Sequence, residues 1–217
     1  MARNAHPEET VGLILDTAFR LFLKNGYERT SIQDIVKNLG GLSKGAIYHH
    51  FNAKEDILAA VIDRMTRESN QGLLEIRDRP GLTGLEKLKL IFKAALERPA
   101  QDDMFILAPD FSRNPQMLYA VIRETVDDAA PHYILPIIEQ GIADGSIVTE
   151  YPAELAELMM LAANIWMNPL MFEATVEQSR RKAILFQQMM RNFGLDIVDD
   201  ALISRLTELA QLYQDHK

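Results

Sequence analysis

The chain contains no cysteine. Disulfides, thiolate metal sites and cysteine nucleophiles are therefore excluded, and a reducing cytoplasm is the expected setting. Long hydrophobic runs are also missing. The longest, Ile57–Ile62 and Leu158–Ala163, hold six residues each, whereas a membrane-spanning helix needs about 20. The opening residues Met-Ala-Arg-Asn-Ala-His-Pro-Glu-Glu have no apolar core of an export signal, so a soluble, non-exported protein with no membrane partner is expected. Strand-like alternation, internal repeats and low-complexity segments are lacking as well. Basic residues are the minority, 23 against 31 acidic, for a net charge of −8.

What is present is helical periodicity, and the fold class expected is all-α with about nine or ten helices. With 217 residues the chain fits one large domain or two small ones. Val11, Ile14, Leu15, Ala18, Phe19 and Phe22 recur at three- and four-residue steps, and Asn25-Gly26 supplies a stop. A long helix is expected from Ala53 or Lys54 to about Ile76, ended by Pro80-Gly81. Leu82–Glu97 is amphipathic through Leu85, Leu88, Phe92 and Leu96. Pro109 and Pro115 should interrupt the stretch 102–128. Pro131 suits the first turn of a helix reaching about Ala143, with a bend at Pro136. Helices over Ala153–Met167, Ser179–Phe193 and Asp199–Gln214 complete the chain.

Residues 30–54 carry the most specific pattern. Ser31 can cap one short helix, Gly40-Gly41 ends it, and Ser43 can cap a second. Helix, glycine turn and short helix form the layout of a DNA-reading helix-turn-helix, whose second helix enters the major groove. That second helix carries Lys44, Gly45, Ala46, Tyr48, His49 and His50, small residues for close approach beside polar and aromatic ones for phosphates and base edges. Tyr48 reads as a phosphate or base contact, with a core aromatic as the alternative. Lys54, at a helix start, is placed to hold a phosphate, or is a solvated charge. Charge distribution agrees: residues 1–54 have a net charge of +2 and residues 55–217 of −10. A slightly basic end on an acidic body orients the protein on a duplex and makes binding salt-dependent.

Thr30, Ser31, Ile32, Ile35, Val36, Leu42, Ser43, Gly45, Ile47, Tyr48, His50, Phe51, Lys54, Glu55 and Ile57 follow in order the pattern of the TetR family of transcriptional regulators, which residues 8–60 closely resemble. Gly40-Gly41 gives the turn one residue more than the commonest form. The resemblance implies a DNA-binding domain over residues 1–53 and a helical ligand-binding and dimerisation domain over 54–217. It implies a DNA-facing set of Thr30, Ser31, Gln33, Ser43, Lys44, Gly45, Ala46, Tyr48, His49 and Lys54, with His49 toward the backbone and His50 packed. The implied function is a homodimeric, ligand-responsive repressor on a palindromic DNA operator. A ligand-independent activator or architectural DNA-binding protein is the alternative.

In the body, Leu155, Leu158, Met159, Met160, Leu161, Ile165, Trp166 and Met167 point to more than one helix face. Either the helix is buried within one chain or its outer face meets a second subunit. On the second reading Leu158, Leu161 and Ile165, with Leu185 and Met189, form a dimer interface of paired helices. The family resemblance implies such a dimer. It also implies an apolar cavity for a small, largely apolar effector, with Met65, Phe92, Met104, Phe105, Phe111, Met117, Tyr119 and Trp166 as candidate lining. Asp103, Asp110, Glu124, Asp127 and Asp128 would complement a cationic ligand, or simply face solvent. Gly41-Leu42-Ser43-Lys44-Gly45 has the Gly-x-Ser-x-Gly form of a hydrolase elbow, but no strand precedes it. His49 and His50 point about 100° apart on a helix and cannot chelate one metal together. No catalysis, metal or cofactor is expected.

Overall fold

Local start and stop signals divide the N-terminal region into three helices. The structure, a computed structural model, describes residues 7–41, 43–97 and 115–216, without the side chains of Pro7, Leu23, Met65, Thr66, Glu68, Ser69 and Asn70. Helix α1 runs Pro7–Asn25, with Glu8 and Glu9 in its first turn and Lys24 in its last, both favourable to the helix dipole. Gly26 then takes a left-handed conformation (φ 87°) that ends it. Helix α2, Ile32–Asn38, begins with a reciprocal cap: the Asp34 amide donates to the Ser31 hydroxyl at 3.2 Å, and the Ser31 amide donates to the Asp34 carboxylate at 3.0 Å. Gly40 and Gly41, at φ 60° and 126°, make the turn that a side chain would strain. Helix α3, Lys44–His50, starts where the Ala46 amide donates to the Ser43 hydroxyl at 3.3 Å.

Helix α4, Lys54–Arg77, is 24 residues long, about 36 Å at 1.5 Å per residue. Its N-terminal half belongs to the core of the first three helices. Ile57, Leu58, Val61 and Ile62 pack with Ile14, Phe22, Ile35 and Ile47, and the cluster extends to Met117, Leu170, Met171, Leu209 and Tyr213. The rod therefore shares one core with the helix-turn-helix. Further along it, Leu73 and Ile76 enter a second core with Leu88, Ile137, Met159 and Phe186.

Helix α5, Gly84–Leu96, starts at Thr83, whose hydroxyl caps the Glu86 amide. It crosses α7, Leu135–Asp144, at close range. A Cβ on Gly84 would stand 2.4 Å from the Gly141 backbone. Polar bonds bind the same corner. The buried Lys87 ammonium donates to the Arg77 carbonyl at 2.5 Å and to Gln140 at 2.6 Å, which supplies a donor to the end of α4. The Gly84 amide donates to the Asp144 carboxylate at 2.9 Å.

One expectation is overturned. Pro131 does not begin a helix. Helix α6, Pro115–Glu124, passes through a π-helical stretch, Thr125–Ile134, straight into α7, with Pro131 inside. Proline lacks an amide donor and its ring crowds the preceding turn. The wider π turn accommodates this, and the Leu135 amide bonds back five residues to the Ala130 carbonyl. Tertiary packing holds the stretch, since Ala129, Ala130 and Ile134 are buried and the stretch lies along α8, Pro152–Leu161. Helix α8 likewise runs into a π segment, Ala162–Trp166.

Helix α9, Val176–Asn192, starts before the expected Ser179. The Thr175–Gln178 reciprocal cap was the legible signal for that start. Helix α10, Asp200–Asp215, is capped by Asp199 and packs along α9. Every regular element among the described residues is helical, and no described helix is long and apolar enough to cross a membrane.

Candidate nucleic-acid interface

Helix α3 is anchored by one face and open on the other. Ile47 is fully buried and Phe51 nearly so, while Lys44, Gly45, Tyr48 and His49 are exposed and Ala46 and His50 half-buried. The Lys44 ammonium lies 5.5 Å from the centre of the Tyr48 ring, and the His49 and His50 rings meet edge to face at 5.0 Å. Ser31, Gln33 and Ser43 are exposed at the starts of α2 and α3. The Ser31 hydroxyl and amide hold the Asp34 carboxyl below the usual carboxylate range, so this first turn carries a charged cap. At Gly45 a Cβ would have only ordinary contact, 3.6 Å from the Ser43 hydroxyl. The glycine is thus not required by packing.

Two residues of the expected DNA-facing set face elsewhere. Thr30 is buried at 1% exposure. Its hydroxyl donates to the Gly26 carbonyl at 2.9 Å and the Leu21 carbonyl at 3.3 Å, pinning the α1–α2 turn. The Lys54 ammonium turns inward. It donates to the Tyr27 carbonyl at 2.9 Å and lies 4.0 Å from the centre of the Tyr27 ring. Tyr27 in turn donates its phenol to Glu55 at 3.0 Å. Burial first, then that carboxylate, pushes the phenol's pKa up, and it stays a proton donor. Tyr27, Lys54 and Glu55 form a latch between the α1–α2 turn and the start of α4. No sequence signal marked it, because Tyr27 and its partners are 27 and 28 positions apart.

The residues expected to line one effector cavity are dispersed. Met104, Phe105 and Phe111 lie outside the described residues, as does the side chain of Met65. Phe92 packs on Phe186 in the second core at 5.6 Å between ring centres, and Met117 is fully buried in the first. Trp166 is 37% exposed, and the Lys182 ammonium of α9 donates to its carbonyl at 2.8 Å. Tyr119, 63% exposed, borders a cleft of about 700 Å³ between the start of α4 and α6.

The expected interface residues divide. Leu158 and Leu185 are exposed, Leu161 and Met189 half-buried. Ile165 is buried in the chain's own first core and has no surface to offer a second subunit.

The comparisons with known proteins agree with this architecture. Residues 14–61 match the model for bacterial regulatory proteins, tetR family. The uncharacterised HTH-type transcriptional regulator YerO of Bacillus subtilis is 28% identical over 186 residues, spanning 81% of this chain and 62% of its own length. The HTH-type transcriptional regulator TtgR of Pseudomonas putida is 41% identical over 58 residues, 27% of each chain. The chain thus spans less than two thirds of these relatives. A SmeT–triclosan complex superposes with a TM-score of 0.59 at 20% identity, covering 90% of this chain and 94% of that one. A gamma-butyrolactone receptor, ArpA-like, superposes with a TM-score of 0.53 at 22% identity, covering 96% and 99%. Identities this low speak for the fold. Residues 14–61 thus carry the N-terminal domain of the tetR family of bacterial regulatory proteins, and the helical body shares its fold with solved regulators.

Proposed function

We propose that the chain acts as a homodimer that binds a near-palindromic DNA operator, represses transcription there, and releases DNA when a small molecule binds the body. The observation that carries this reading is the open face of α3, where Lys44, Gly45, Tyr48 and His49 are exposed over an anchor of Ile47 and Phe51. Phosphate contacts there would position the helix and base-edge contacts would select sequence. Two copies would address major grooves one helical turn apart, about 34–36 Å.

Exposed apolar residues on α8 and α9, Leu158, Leu185 and the adjoining Trp166, supply a surface for the second copy. The likeness of the fold to a gamma-butyrolactone receptor and to SmeT in its triclosan complex supports a small-molecule effector. The direct assay is a gel shift on duplexes from the DNA flanking the coding gene, as a function of salt. Sequence-selective retardation by a dimer supports the reading. Equal affinity for all duplexes, or binding by a monomer, rejects it.

A further inference from the structure

The cleft between α4 and α6 has a composition unlike the apolar cavity expected from the sequence. Among the described residues its carboxylates are Glu28, Glu55, Asp63, Glu124 and Asp128, and its cations are Lys54 and Arg123. These described lining residues carry a formal net charge of −3. Arg123 is paired with Asp127 at 2.5 Å, and Lys54 is bound to Tyr27. Of the acids, Asp63 is paired with Arg67 at 2.7 Å, Asp128 meets the His132 ring at 2.8 Å, and Glu55 accepts from the Tyr27 phenol at 3.0 Å. The floor is apolar, formed by Leu58, Ala59 and Ile62, and two tyrosines, Tyr27 and Tyr119, flank it. At about 700 Å³ the cleft has the size of a small-molecule site.

Two observations define the chemistry of an occupant. Among the described residues no group of three or more His, Asp or Glu side chains converges closely enough to hold a metal ion. The acids thus act as a field spread around the cleft rather than as a chelate. The Tyr27 ring already holds a cation, since the Lys54 ammonium sits 4.0 Å from its centre. An aromatic face beside carboxylates and an apolar floor suits a bulky, weakly hydrated cation.

We propose that this cleft binds an organic cation with an apolar or aromatic body, its charged head between Tyr119 and the acidic rim and its body on Leu58 and Ile62. The site borders the latch of Tyr27, Lys54 and Glu55, so its occupant meets the helix-turn-helix core directly. An effector role for that occupant rests on the ligand-responsive reading above; the binding itself does not.

The test uses the full chain without DNA and benzyltrimethylammonium as the probe, with benzyl alcohol as the neutral control and benzoate as the anionic one. Calorimetry should show that the cation binds and that both controls bind more weakly. Tyr119→Ala removes an exposed ring and should weaken the cation roughly 2- to 30-fold, the range of a cation–ring contact. Glu28→Gln should weaken it less. Lys54→Met removes a cation from the lining and should tighten it, with circular dichroism confirming the fold. No cation binding at millimolar concentration, equal affinity for cation and benzyl alcohol, or an unchanged affinity in Tyr119→Ala overturns the proposal. Cation binding with unchanged duplex affinity would leave the site standing and count against ligand-driven DNA release.

Discussion

The open face of α3 and the open faces of α8 and α9 are similar in exposure and opposite in chemistry. On α3, Tyr48 is 45% exposed beside Lys44 and His49; on α9, Leu185 is 47% exposed, and Leu158 and Trp166 come close to that. A polar, locally basic face loses little in water and gains by meeting phosphate. An apolar face gains most by meeting another apolar face. The supports differ too. The α3 face sits on a seven-residue helix held by a hydroxyl cap and one buried isoleucine. The body faces stand on α8 and α9, of 10 and 17 residues, whose inner sides pack into the second core next to the α5–α7 glycine crossing. On the proposed function, the face that would enter a groove is carried on a small, narrow element, and the face that would match a copy of itself on larger helices.

Disrupting the glycine crossing should have the largest effect. Gly84→Leu would drive its side chain into the Gly141 backbone. The expected cost is about 3 kcal/mol or more, beyond the ordinary range for overpacking, because backbone rather than a flexible side chain must move. Urea denaturation measures it, and a loss under about 1 kcal/mol would mean that α5 and α7 separate easily. Next, Leu185→Glu should leave the monomer folded and weaken self-association by about 2 kcal/mol or more. Sedimentation at several concentrations would show it. Ile165→Glu should instead unfold the chain, since Ile165 lies in its own core. Equal behaviour of these two variants would place the interface elsewhere, on α10 for example.

On the polar face, Gly45→Leu should preserve the melting temperature, or raise stability by about 1 kcal/mol through better helix propensity. It should cost duplex affinity roughly 5- to 150-fold, the size of a lost base-edge contact. Unchanged affinity would remove α3 from the DNA surface. The smallest effect belongs to the α2 cap. Ser31→Ala should cost about 1 kcal/mol at neutral pH. The Asp34 carboxyl is depressed in the folded state, so its contribution is present above the unfolded carboxylate pKa and is lost as pH falls through the lower folded value. Ser31→Ala removes the largest cause of that depression. The decline in stability below about pH 4 should then be shallower than in the parent chain. Parallel acid titrations of the two proteins by circular dichroism check this.

Locally written features were legible without any structure. Ser31, Gly40-Gly41 and Ser43 mark the starts and stop of two short helices, because a cap acts within three or four residues of itself. The all-helical class and the length of α4 followed from apolar periodicity, which needs only one face of one helix. Thr175–Gln178 was equally local and shows that the start of α9 was readable from its cap. The exposed part of the α3 set was readable for the same reason, as alternate sides of one short amphipathic helix.

Only the tertiary structure decided the rest. Pro131 reads as a helix start in isolation, yet packing along α8 carries the helix through it as a π turn. Thr30 and Lys54 read as DNA-facing, but the Gly26 and Leu21 carbonyls claim the Thr30 hydroxyl, and the carbonyl and ring of Tyr27, 27 positions away, claim Lys54. Ile165 and Leu185 have the same sequence character and opposite fates, one in the core and one at the surface. The acidic cleft joins Glu28, Asp63 and Asp128, which no spacing rule connects. The sequence by itself determined which helices form and which carries the small polar face, since backbone hydrogen bonds and caps are short-range. Which partner each side chain meets depended on how helices cross, and a crossing is set by shapes contributed from distant parts of the chain.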